Sequence, residues 1–280
     1  ALDSNPIVPQ DRRRRGIYLL PNLFTTAALF AGFYAVVAAM GERFEAAAVA
    51  VFVAMLLDGL DGRVARLTHT QTAFGTEYDS LSDMVSFGVA PALVAYEWSL
   101  HSLGKLGWLA AFVYTVGAAL RLARFNTQVG VADKRYFQGL PSPSAAAIVA
   151  GLVWFATDRE LPGETLRYAT WVLTVLSGLL MVSKLRYYSF KGGLDLKGFR
   201  GGLDLKERVP FVGVLLAVLG FVLVSIHPSH VLFGLFLAYA LSGPVVTVVQ
   251  RRRRRAARRT PPPARPGDEE PPELGKPGAP

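Results

Sequence analysis

Eight apolar runs, separated by short polar or basic segments, set the limits on what this chain can become. They extend over about Ile17 to Met40, Phe44 to Leu67, Glu77 to Leu100, Trp108 to Phe125, Ser142 to Phe155, Leu166 to Val182, Val209 to Ile226 and Val231 to Val249. Crossing a bilayer core takes about 20 residues of helix, which most of these runs supply or approach. Inside lipid every backbone N–H and C=O needs an internal partner, so such runs resolve into helices. The expected fold class is all-α: a polytopic integral membrane protein with about eight transmembrane helices. Hydrophobic residues make up 51% of the chain and mean hydropathy is positive, yet the net charge is +9. The basic residues cluster between apolar runs, a pattern of membrane topology. No aromatic stacking platform or folded basic groove accompanies them, so no nucleic-acid partner is expected; the lipid bilayer is. The absence of cysteine excludes disulfides and thiolate chemistry.

Three regions follow. Residues 1–16 form a basic N-terminal segment with Arg12 to Arg15 in a row, and 17–250 a transmembrane domain with its core at 17–184. Residues 251–280 form a basic, Pro-rich tail expected to be disordered. No cleavable signal peptide is evident, and the first apolar run reads as a retained span. Eight spans put both termini on one side, together with the basic clusters at Arg12 to Arg15, Arg63 to Arg66, Arg121 to Arg135, Lys184 to Lys206 and Arg251 to Arg259. The opposite turns, near Glu42, His101, Asp158 and His227, are sparse in Lys and Arg. The positive-inside rule makes the basic side cytoplasmic. The expected location is the cell (inner) membrane, multi-pass, with both termini cytoplasmic. A direct repeat, Gly192 to Lys197 and Gly201 to Lys206, lengthens one basic loop; two copies do not make a solenoid.

Four aspartates carry the chemistry. Asp58, Asp61, Asp79 and Asp83 stand at the ends of the second and third apolar runs, at the same membrane face. At 100° per residue, Asp58, Asp61, Gly62, Ala65 and Arg66 fall within an arc of roughly 140°. Gly75, Asp79 and Asp83 repeat at i, i+4, i+8 and line one face. Two antiparallel helices with these faces opposed would gather four carboxylates. Bare anions cannot share an apolar setting, and intramembrane carboxylates mark function. Divalent cations relieve the repulsion, and hard oxygen ligands select Mg²⁺, Mn²⁺ or Ca²⁺. Two such ions on a diphosphate match the two-metal logic of phosphoryl transfer. Gly62 and Gly75 leave room for a ligand at the backbone, and Arg66 offers a planar cation for phosphate.

The pattern Asp58-x-x-Asp61-Gly62-x-x-Ala65-Arg66, eight residues, Gly75-x-x-x-Asp79-x-x-x-Asp83 resembles the full signature of the CDP-alcohol phosphotransferases. That resemblance implies the family's fold and a membrane enzyme that moves a phosphatidyl-type group from a CDP-linked lipid to an alcohol, releasing CMP. It implies metal ligation by Asp58, Asp61 and Asp79 with help from Asp83, using two Mg²⁺ or Mn²⁺ ions, and general-base action by Asp83. CDP binding would fall to Asp58, Gly62, Ala65, Arg66, Gly75 and Asp79. The family's Asn and Thr near the start of the first helix, on the nucleotide side, correspond to Asn22 and Thr25; these are candidate ligand contacts, Asn22 for the acceptor or phosphate, and serve at least as well as helix caps. A homodimer is also implied.

Further along, Ser86-Phe-Gly-Val-Ala-Pro91, Arg121-Leu-Ala-Arg124-Phe-Asn126, Gly139-Leu-Pro-Ser-Pro143 and Ser183 to Lys191 look like the phosphatidylserine synthases of the CDP-diacylglycerol type. The implied substrates are CDP-diacylglycerol and L-serine. Arg121 and Arg124, at i, i+3, either anchor their helix at the headgroups or point inward to bind phosphate or a substrate carboxylate; Asn126 joins them as an acceptor-side residue. Two alternatives stay open. One keeps the chemistry with choline, glycerol 3-phosphate or inositol phosphate as acceptor. The other is a cation transporter with an Asp-lined path, which leaves the spaced glycines and Ala65-Arg66 unexplained.

Overall fold

The computed structural model describes residues 12–68, 72–127, 136–188 and 209–257. Helix α1 (Arg12–Met40) turns back at Gly41-Glu42 into α2 (Phe44–Thr68), and the two pack along their length. Helix α3 (Ala73–Asp83), a π-helical segment (Met84–Val89) and α4 (Ala90–Trp98) follow one another without a break, forming one rod. A 3₁₀ turn (Leu100–Leu103) leads to α5 (Lys105–Thr127), then α6 (Ser142–Asp158), α7 (Arg167–Val182), α8 (Val209–Ile226) and α9 (Pro228–Ala257). The only strands among the described residues are β1 (Tyr136–Gln138) and β2 (Arg186–Tyr188), an antiparallel ribbon with Phe137 opposite Tyr187. The all-α expectation holds with that small addition.

Packing rests on small side chains. Ala35, Ala38, Ala47, Ala48, Ala54, Ala90, Ala146 and Ala150 are buried where α1, α2, α4 and α6 meet. Alanine and glycine let helix backbones approach closely, which supplies dispersion contact where lipid removes the hydrophobic driving force. Large apolar residues instead face outward: Phe30, Phe33 and Met40 on α1, Phe112 and Leu120 on α5, Phe221 on α8. That inversion is what a lipid-facing surface requires, and the protein is a membrane protein. The tightest crossing joins α5 to α7. A Cβ on Gly117 would lie 2.5 Å from the Gly178 carbonyl oxygen, and one on Gly178 would lie 2.8 Å from Tyr114 Cα. Gly178→Val is therefore expected to cost about 1–3 kcal/mol of stability. The measurement is thermal unfolding in detergent, with Gly220→Val on α8, where a Cβ meets nothing within 4 Å, as control. An unchanged melting temperature for Gly178→Val would contradict this crossing.

Among the described residues, eight helical rods correspond to the eight apolar runs, counting α3 to α4 as one. Three stretches among the described residues are long and apolar enough to cross a membrane unaided: Pro21–Met40, Lys105–Thr127 and Pro228–Val245. Helix α8, 18 residues long, is uniformly apolar as well; the remaining rods carry charge, are shorter or change helix type. Helix α2 carries Glu45, Asp58, Asp61, Arg63 and Arg66; α6 and α7 have 17 and 16 residues; the third rod changes helix type midway. Several boundaries move. Helix α1 starts at Arg12, so the arginine row is helical rather than part of a tail. Helix α3 starts at Ala73, because Thr72 caps it by accepting from Gly75 N at 3.0 Å. Helix α9 continues past Val249 through Arg251 to Arg255, where the expected disordered tail begins. The 192–206 repeat, Lys134, Arg135 and the chain after Ala257 lie outside the described residues.

Candidate active site

Both halves of the signature lean on α1. Helix α2 packs along the π segment and α4, whereas α3 makes its main contacts with α1. Helix α1 thus joins α2 and α3 as a third element around the carboxylates. Thr25 of α1 is buried and donates its hydroxyl to Asp61 Oδ2 at 2.7 Å, with Pro21 O at 3.1 Å as the other acceptor in reach. Ser82 Oγ donates to Thr25 O, and Ser86 Oγ to Ala28 O, each at 3.1 Å. The Tyr78 and Thr26 hydroxyls meet at 2.9 Å. These bonds fix the register of α3 against α1, and through Thr25 against Asp61. A Cβ on Gly32 would fall 2.7 Å from Ser86 Cα, so only glycine admits this approach.

Carboxylate oxygens of Asp58, Asp61 and Asp79 all lie within 4.8 Å of one another. Asp61, 5% exposed, is the most buried of the three. Three hard oxygen donors at this separation fit a divalent cation such as Mg²⁺ or Mn²⁺. Asp83 stands outside that group of three; its side chain hydrogen-bonds Asp58 and senses Asp79 and Asp61 electrostatically. The structure thus gathers all four signature aspartates but gives Asp83 a distinct place, one helical turn deeper than Asp79.

The π segment begins directly after Asp83. A π turn widens the helix and shifts the phase of everything beyond it, and such turns favour functional sites. Its carbonyls find side-chain partners: Tyr114, fully buried on α5, donates its hydroxyl to Phe87 O at 2.9 Å. The widened turn is thereby pinned from outside.

Around the carboxylates the other predicted residues separate. At Gly62 a Cβ would meet only Arg66 Nη2, at 4.0 Å, so the backbone there is open to a ligand, with the exposed Arg66 folded back beside it. Ala65 is half-buried on the same helix. At Gly75 a Cβ would stand 3.1 Å from Thr72 Oγ1 and 3.5 Å from Asn22 Oδ1. That glycine serves its helix cap as well as any ligand, and Asn22 lies at its side.

Arg121 and Arg124 do not act alike. Arg124 Nη1 donates to Val182 O at 3.0 Å, in the last turn of α7, where a cation complements exposed carbonyls. Arg121 Nη1 donates to Ser142 Oγ at 2.9 Å, at the start of α6. Its Nε is buried and has no hydrogen-bond partner among the described residues. The guanidinium is in electrostatic reach of Asp83. Asn126 Nδ2 donates to Ser80 Oγ at 3.0 Å, tying α5 to α3. Of the two arginines, Arg121 keeps the inward reading.

Thr25, a candidate ligand contact in the sequence, hydrogen-bonds Asp61, and Tyr78, Ser82 and Ser86 meet α1 along one face. A signal exists: these three repeat at i, i+4, i+8, one position before the Asp79 and Asp83 stripe. Loss of the bond that orients Asp61 should weaken metal binding about 10- to 100-fold, the usual cost of removing a ligand's hydrogen-bond partner. Thr25→Val tests it through the Mn²⁺ concentration needed for half-saturation. An unchanged metal requirement would contradict the orienting role.

A family model described as CDP-alcohol phosphatidyltransferase matches residues 18–182. Over 176 residues the chain is 42% identical to a CDP-diacylglycerol–serine O-phosphatidyltransferase of Helicobacter pylori (strain ATCC 700392 / 26695), covering 62% of this chain and 74% of that protein. A protein of the same name from Mycobacterium leprae (strain TN) is 35% identical over 185 residues, covering 63% of this chain and 60% of its own. Another from Saccharomyces cerevisiae (strain ATCC 204508 / S288c) is 39% identical over 141 residues, with shares of 45% and 50%.

Proposed function

Because this chain belongs to the CDP-alcohol phosphatidyltransferase family, we propose that it transfers the phosphatidyl group of CDP-diacylglycerol to the hydroxyl of L-serine, yielding phosphatidylserine and CMP. The observation that carries this reading is the group of Asp58, Asp61 and Asp79, with Asp83 bonded to its edge and Arg121 in reach of Asp83. Relatives in bacteria and yeast that share the serine transferase name support the choice of acceptor.

Asp58, Asp61 and Asp79, with help from Asp83, would hold two Mg²⁺ or Mn²⁺ ions. Bound there, the metal supplies neutralisation of the diphosphate and of charge developing on the departing CMP. The chain's own groups do the rest. Gly62, Ala65 and Gly75 leave space for the cytidine, and Arg66 contacts phosphate, with Asn22 beside Gly75. Asp83 accepts the proton of the serine hydroxyl as its oxygen bonds the β-phosphorus and the bond from that phosphorus to the CMP oxygen breaks. A neutral hydroxyl is a poor nucleophile, so a positioned base is chemically required. Arg121 directs its buried Nε to the acceptor's carboxylate. The site and both termini would face the cytoplasm, where serine is available; the excess of Lys and Arg in the turns on that side supports this orientation. The family also supports a homodimer.

The test is product formation. Purified protein in detergent, given CDP-diacylglycerol, Mn²⁺ and radiolabelled serine, should yield labelled phosphatidylserine. Lipid product labelled from glycerol 3-phosphate or inositol phosphate instead would move the acceptor while keeping the aspartate chemistry.

A further inference from the structure

Ser86-Phe-Gly-Val-Ala-Pro91 follows the Asp83 stripe and holds most of the π turn. Pro91, in the first turn of α4, gives the helix a reason to widen there. In an α-helix the Phe87 carbonyl would accept from the N–H four residues on, at position 91. Proline has no N–H, and its ring crowds that same carbonyl. The chain takes a longer step instead: the Ala90 N–H reaches back five residues to Val85 O. The extra residue changes the phase of the rod. Ser82, Ser86, Ala90, Val94 and Trp98, spaced four apart, are all buried. In an unbroken α-helix each step would drift by about 40°, leaving Ser82 and Trp98 about 160° apart. One additional residue takes back about 100° and keeps the five on one side.

The widened turn is fastened from α5. Tyr114, Ala118 and Arg121 lie at i, i+4, i+7 and share one face of that helix. The fully buried Tyr114 donates its hydroxyl at 2.9 Å to Phe87 O, the carbonyl that Pro91 deprives of its α-helical donor. A Cβ on Gly88 would stand 3.2 Å from Ala118 Cβ, so the two elements touch there. Helix α7 backs Tyr114 from behind, where a Cβ on Gly178 would fall 2.8 Å from Tyr114 Cα. The opposite side of the rod is held separately, by the bonds from Tyr78, Ser82 and Ser86 to α1. Asp79 lies between the first two of those anchors. Asp83 stands after Ser82, directly against the π turn.

We propose that Tyr114 is a positioning residue for Asp83: by holding the Phe87 carbonyl it keeps the π turn open, and the open turn sets the direction in which Asp83 meets the acceptor hydroxyl. The inference rests on the general-base reading of Asp83 above. It gives the Ser86-to-Pro91 stretch a part in the reaction: Pro91 opens the turn, Gly88 admits α5 and Tyr114 fastens it.

Tyr114→Phe is the test, because it removes one oxygen and keeps the ring. The expected result is a kcat for serine-dependent CMP release lowered about ten- to a hundred-fold, the scale set by small misplacements of a reacting group. The KM values for serine and CDP-diacylglycerol should stay as they are. So should equilibrium Mn²⁺ binding without substrate, since Asp58, Asp61 and Asp79 are anchored elsewhere. Added to Asp83→Asn, Tyr114→Phe should lower the residual rate no further, because it acts through a base that is no longer there. A hydroxyl that only stabilises the fold would cost rate in both backgrounds. An unchanged kcat, a matching loss of Mn²⁺ binding, multiplicative effects in the double variant or a Tyr114→Phe protein that no longer folds would each overturn the proposal. If Asp83→Asn turns over normally, the general-base reading fails and takes the proposal with it; if Asp83→Asn is impaired and Tyr114→Phe is not, only the role of Tyr114 fails.

Discussion

Asp83→Asn is expected to lower turnover about 10³-fold, within the range by which a positioned base accelerates proton transfer. The substitution keeps the size and most hydrogen bonding of the side chain while removing its ability to take a proton. Asp83 hydrogen-bonds Asp58 but stands outside the group of three carboxylates that could share one ion. Metal and CDP-lipid affinity should therefore fall much less than kcat. Steady-state CMP release with serine, set beside equilibrium binding of CDP-diacylglycerol, separates the two effects. A variant that turns over normally would remove the general-base role. One that loses donor binding in proportion would make Asp83 chiefly a metal ligand.

Asp61→Asn should be as damaging to rate, about 10³-fold, but by the opposite route. Asp61 is the most buried member of the group of three, held by Thr25 from α1. Replacing its carboxylate by an amide removes negative charge where a divalent cation needs it, so Mn²⁺ binding and donor binding should be lost together. Equilibrium Mn²⁺ binding to the purified variant, measured without substrate, reads this independently of activity. Retained Mn²⁺ affinity would contradict the assignment of the metal site. Chelation of the unaltered protein with EDTA should have the same effect as the substitution, reversed on adding metal back.

The two variants, with Thr25→Val between them, separate holding a metal from moving a proton. Their positions in the fold explain why. Asp58 and Asp61 come from α2, Asp79 and Asp83 from α3, and α1 fixes the distance between the two helices through Thr25 and the seryl bonds from Ser82 and Ser86. The glycine at position 32 allows that approach.

The aspartate cluster is legible in the amino-acid sequence because its spacing needs only helical geometry: each half of the signature lies within one uninterrupted helix. The eight rods are legible too, because apolar length is a local property. Other features depend on neighbours far along the chain. Arg121 and Arg124 share a helix face, and no spacing rule tells them apart. Only the positions of Ser142 and Val182 make one an inward cation and the other a helix cap. Asn126 reads as a ligand for the same reason, yet its partner is Ser80, which lies 46 residues away. The π turn leaves no signal in hydropathy, since Met84 to Val89 is apolar in either helix type. The signature's own charges interrupt the apolar stretch of α2.

The central claim is that this group of carboxylates performs serine-dependent cleavage of a CDP-lipid. The most direct measurement is CMP release by the purified protein with CDP-diacylglycerol and Mn²⁺, offering serine, glycerol 3-phosphate, inositol phosphate or choline one at a time. Release with serine, abolished by EDTA and by Asp83→Asn, is the expected result. Folded protein that releases no CMP with any acceptor would contradict it.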